Sequence, residues 1–142
     1  MKAPEVDEIV AHWAQSVSRG ATAQQIALAV ATASDDIDHA LAPVVGLNGV
    51  AALYKRTLHV AGKAHPCLLA SAFSGSPSDH AAAWTTALQG QTASQAVAAG
   101  AAFLQTFHQL LVTLVGLSLA ERLLRPVWAN ILSGSSAKDT EA

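Results

Sequence analysis

Apolar residues recur every three or four positions along most of this chain, the period of a helix with one buried face. In residues 4–19 the stripe is Val6, Ile9, Val10, Trp13 and Val17, with Pro4 in the first turn and Gly20 as the stop. Glu5, Asp7 and Glu8 lie at the positive end of that helix dipole. A second helix is predicted over residues 22–33, with Ile26 and Val30 inward. Ser34 then reads as an N-cap before Asp35 and Asp36, opening a third helix that carries Ile37 and Leu41, that Pro43 ends or kinks and that Gly46 closes. Asn48 caps a helix over residues 49–64, which Pro66 terminates. A short helical piece at 67–73, a Ser/Gly/Pro loop at 74–78 and a helix over 77–89, capped by Ser76 and stopped by Gly90, follow. Thr92 and Gln95 form a capping box for the longest helix, residues 93–115. Its seam is Val97, Ala101, Leu104, His108, Leu111 and Val115, and Phe103, Phe107, Leu110 and Leu114 make a second stripe. A further box, Ser118 with Glu121, opens a last helix to about 132, kinked or divided at Pro126. Residues 133–142 are small and polar.

Strand-like alternation never persists, and no repeat at a solenoid period is seen. The pattern therefore predicts an all-α, single-domain bundle of six to seven helices over residues 1–132, with helix 93–115 central and 133–142 a disordered C-terminal tail.

Composition narrows the class. With 51% hydrophobic residues, 13% charged residues and a net charge of −2, the chain is neither a disordered tract nor a basic nucleic-acid binder. Cys67 is the single cysteine, which excludes an intramolecular disulfide. A free thiol and an acidic N-terminus without an apolar core predict a cytoplasmic protein. Between Lys63 and Glu121 the only charged residue is Asp79, and residues 96–120 are long enough to span a bilayer. Gln105, His108 and Gln109 in the middle of that run favour a buried core helix, with no membrane partner.

Candidate chemistry is sparse. There is no phosphate-binding Gly loop, no His-Glu-x-x-His pair and no nucleophile elbow. No two of the six histidines stand three or four apart, so no helical metal pair forms, and neither metal nor cofactor is expected. His108, among Phe103 and Phe107, leaves a haem- or small-molecule-binding bundle as one alternative. As a core residue it would instead bond Gln105 or Thr113.

Helix 49–64 is the most informative. At about 100° per residue, Val50, Leu53, Tyr54, Thr57, Val60 and Ala61 share one side and His59 falls opposite Val50. Lys55, Arg56 and Lys63 flank His59, and Gly62 lies within a turn of it. The run His59-Val60-Ala61-Gly62-Lys63 resembles the histidine phosphotransfer domains, whose pattern is His-x-x-Lys-Gly; here glycine and lysine are exchanged in order. That resemblance covers about fifteen residues. It implies a four-helix bundle with His59 as phospho-acceptor, Lys63 assisting the phosphoryl group and Gly62 making room for a response-regulator receiver domain.

The expected function is a small signalling or protein-interaction module without catalysis of its own, binding through Lys55, Arg56, His59, Gly62 and Lys63. Its partner would be a receiver domain or a sensor kinase. The phosphorelay carrier is the alternative. The apolar stripes of the last two helices further predict a homodimer.

Overall fold

The computed structural model describes residues 4–69 and 80–141, with side chains for 6–66, 68 and 82–132. Among these the chain is all-helical: α1 (Pro4–Ser18), α2 (Ala23–Ala61), a 3₁₀ turn (Pro66–Leu69), α3 (His80–Ala87), α4 (Ala93–Val115) and α5 (Leu117–Glu141). Five α-helices replace the six to seven expected, because elements that local signals separate are continuous.

Ser34 is not a cap. It lies buried inside α2, where its hydroxyl donates to the Val30 carbonyl at 3.1 Å. Pro43 does not end the helix either. The break comes three residues later at Gly46, with φ 79° and ψ 160°, a region that only glycine occupies readily. There the chain folds back. The Tyr54 hydroxyl donates to the Ser34 carbonyl at 2.7 Å, a contact that twenty residues of straight helix, about 30 Å long, would forbid. α2 thus consists of an outgoing arm, residues 23–45, and a returning arm, residues 47–61. The returning arm stops at Ala61, not 64, with Gly62 as C-cap. Ser118 falls inside α5, which also runs through Pro126 without interruption. The expected piece at 67–73 is described only as the 3₁₀ turn. The Ser76 cap lies outside the described residues, as do the side chains of the tail from 133 on.

The architecture contains a repeat that the solenoid periods do not cover. Gly20-Ala21-Thr22-Ala23-Gln24-Gln25 corresponds to Gly90-Gln91-Thr92-Ala93-Ser94-Gln95, and Val45-Gly46-Leu47 to Val115-Gly116-Leu117, each 70 positions on. Among the described residues the four positive-φ glycines, Gly20, Gly46, Gly90 and Gly116, are two pairs at this spacing. Both long helices open on the same device. Thr22 and Thr92 accept from the amides of Gln25 and Gln95, whose side chains accept from the cap amides in return. Burial follows the same register: Ile37 with Phe107, Leu41 with Leu111, Val50 with Ala120 and Leu58 with Trp128 are all buried. Trp13 and Trp84 correspond at a spacing of 71, one more residue lying between Trp13 and Gly20 than between Trp84 and Gly90.

The two units interlock. α1 packs on α4 and α5, and α3 on α2, so each short helix lies against the other unit's long helices. The outgoing arm of α2 and α4 run side by side in one direction. Val30 meets its own counterpart, Gly100, where an added Cβ would stand 2.9 Å from the valine methyl and 3.0 Å from the Trp13 ring. One turn on, the Trp84 indole donates to the Ser34 hydroxyl at 3.3 Å and stands edge-on to Phe103 at 4.9 Å. Large opposite small at this crossing lets two equivalent helices approach closely.

By length and composition alone, α2 and α4 could each cross a membrane. α4 is packed against α1, α2 and α5, and the outgoing arm of α2 carries Asp35, Asp36 and Asp38.

Candidate functional site

The returning arm of α2 carries the candidate residues. Val50, Leu53, Tyr54, Thr57, Leu58 and Ala61 are its buried face. Val60, expected there, is 36% exposed, and Leu58 takes its place. Lys55, Arg56, His59 and Lys63 are all exposed, His59 in the last helical turn and Lys63 just beyond it. None of the four side chains makes a hydrogen bond or ion pair among the described residues. Gly62 closes the helix. It is buried, and its N–H caps the helix on the Leu58 and Val60 carbonyls.

What holds this arm in place is an aromatic and polar cluster beneath it. The Tyr54 ring lies 5.8 Å from Phe103 and 5.5 Å from Phe107, and its hydroxyl bonds the Ser34 carbonyl. Burial holds the phenol pKa well above its ordinary value, and the charge and hydrogen bond of Asp38, then the charge of Asp35, push it further in that direction.

This has a measurable consequence. A phenol whose pKa is raised on folding contributes full stability below the unfolded-state pKa of about 10 and loses it as pH rises further. Above that pH, stability should fall by about 1.4 kcal/mol per pH unit. Tyr54 is the only tyrosine, so the tyrosinate ultraviolet band reports on it alone. The band is expected to appear only together with loss of far-ultraviolet ellipticity. A reversible phenol titration near pH 10 in the intact fold would contradict this placement.

His108 is 6% exposed, within the core on α4. Of the residues named as its partners, Gln105 donates to Asp7 at 3.2 Å and Thr113 to the Gln109 carbonyl at 3.0 Å. Among the described residues no three His, Cys, Asp or Glu side chains gather as a metal site.

Two features escape the sequence reading. The first is an apolar tip. Val44 and Leu47 flank Gly46 and are 49% and 61% exposed; their counterparts Leu114 and Leu117 flank Gly116 and are 60% and 42% exposed. Because the outgoing arm of α2 and α4 run the same way, both corners emerge at one end of the bundle. The twin runs Val44-Val45-Gly46-Leu47 and Leu114-Val115-Gly116-Leu117 are the signal that could have revealed it. The second is a groove of about 430 Å³ between α1, the outgoing arm of α2 and α5.

Comparison with protein-family models, curated proteins and solved structures finds no match to this chain.

Proposed function

We propose that this protein is a signalling-type interaction module with no catalysis of its own, and that it docks an acidic partner surface through the end of α2. The observation that carries this reading is the exposed set Lys55, Arg56, His59 and Lys63, three cations and an imidazole without intramolecular commitments among the described residues. Uncommitted cations of one sign on one face speed encounter with an oppositely charged surface and set its orientation. A receiver domain is the partner to try first. The imidazole of His59 lies a turn from Lys55 and from Lys63, which suits it to accept a phosphoryl group with a cation on either side.

The test uses phosphorylated receiver domains from the same genome. The wild type is expected to bind at least one of them, with an affinity that falls as salt rises. Lys55→Glu with Lys63→Glu should weaken that complex at least about tenfold, or about 1.4 kcal/mol, with the fold intact. Transfer of label to the wild type and not to His59→Gln would assign the carrier role. Binding without transfer leaves the docking role alone, and absence of binding overturns both.

A second reading, self-association, is favoured by the tip. Four large aliphatic side chains at one end are the kind of exposed apolar surface that marks protein contacts. Light scattering at tens of micromolar should give a dimer mass for the wild type and a monomer mass for Leu47→Asp with Leu117→Asp. A monomeric wild type removes this reading.

A further inference from the structure

We infer that the groove between α1, the outgoing arm of α2 and α5 is a binding site for a small organic ammonium compound with an apolar body. This site is separate from the docking face and does not rest on the docking proposal.

The repeat supplies an internal control. At the groove the first unit has Thr32 and Asp36, and α5 brings Asn130 and Ile131. The corresponding positions of the other half are Ala102, Thr106, Val60 and Ala61. On the short helices His12 corresponds to Ala83 at the one-longer spacing. The other half of the repeat is built without this set of polar groups. They are gathered on one side only, around a concavity of a size that takes small ligands.

The chemistry of the lining selects the ligand. Among the described residues Asp36 is the only formally charged side chain in it, with no lysine or arginine beside it. Its Oδ2 accepts from the Asn130 amide at 2.9 Å, which ties α5 to α2 and fixes the carboxylate. Oδ1 has no partner among the described residues, so it is left to receive a donor. The Asn130 side-chain oxygen is a second acceptor beside it. A half-buried carboxylate with a held orientation favours an ammonium group, through a charge-assisted hydrogen bond. Ile26, Ala29 and Ile131 give the apolar surface on which a hydrocarbon or aromatic body would lie.

The experiment is a calorimetric titration of the full chain with three probes of one shape: tryptamine, the neutral tryptophol and the anionic indole-3-propionate. Tryptamine is expected to bind saturably, at least about tenfold more tightly than either of the others. Asp36→Asn, which preserves the shape and a hydrogen bond to Asn130, should remove that preference. Leu28→Trp, at a position 43% exposed on the groove, should block all binding without disturbing the core and keeps the test valid if Asp36→Asn is poorly folded. Lys55→Glu with Lys63→Glu should bind tryptamine unchanged. No saturable binding up to about 10 mM, equal binding of the anion, or full affinity in both groove variants would overturn the proposal.

Discussion

Replacing Phe103 by alanine is expected to cost about 3–5 kcal/mol. That is a large share of the roughly 5–15 kcal/mol that holds a domain of this kind together. Phe103 is 1% exposed and is the common neighbour of three other rings, Tyr54 at 5.8 Å, Trp84 at 4.9 Å and Phe107 at 6.2 Å. These rings come from the returning arm of α2, from α3 and from α4, so the cavity left behind opens at the point where both units meet. Neighbouring rigid rings cannot collapse into it fully, which puts the cost in the upper part of the usual range. Denaturant unfolding gives the number. A loss below about 1 kcal/mol would mean that this cluster does not join the two units.

The second large effect belongs to the paired corners. Gly46 has φ 79° and ψ 160°, and Gly116 φ 93° and ψ 157°. Nothing stands within 4 Å of the place where a Cβ would go at either residue, so alanine there meets no clash with neighbours. The penalty is purely one of backbone conformation, about 1–3 kcal/mol at each. Gly46→Ala with Gly116→Ala is therefore expected to lose about 2–6 kcal/mol, close to the sum of the singles. Leu47→Ala with Leu117→Ala, at exposed positions of the same corners, should change stability by less than about 0.5 kcal/mol. The comparison separates backbone strain from tip packing. Equal, small effects for both pairs would show that the glycines are not what turns the chain.

The helical class and many stops were legible because they rest on local physics. Gly20 and Gly90 end helices where the pattern places them, and the Thr92–Gln95 box forms as spaced. Ser34 misled because a serine before two aspartates is also how a helix starts; a buried helix can absorb that serine by bonding it four residues back. Gly46 closes the segment as the sequence suggests, while Pro43 does not end it: a proline costs one helical hydrogen bond, whereas a residue in glycine-only space reverses the chain. The repeat stayed hidden because the two units share glycines, caps and burial rather than side chains. Val30 against Gly100 shows why: positions that meet their own counterparts have had to become unlike.

At the candidate site, periodicity correctly put Lys55, Arg56, His59 and Lys63 outside. It could not decide between Leu58 and Val60. At about 100° per residue they sit near +80° and −80° from Val50, so only the neighbouring helices settle which is covered. Nor does a one-helix view show that Gly62 serves as the cap, or that a groove forms between residues 12–36 and the distant Asn130 and Ile131.

The docking face is tested most directly by adding a cognate phosphorylated receiver domain to isotope-labelled protein and following the backbone amide resonances. The largest shifts are expected on residues 55–63, fading with added salt and vanishing in Lys55→Glu with Lys63→Glu. Shifts centred on α1 or α4, or none with any receiver domain, would contradict it.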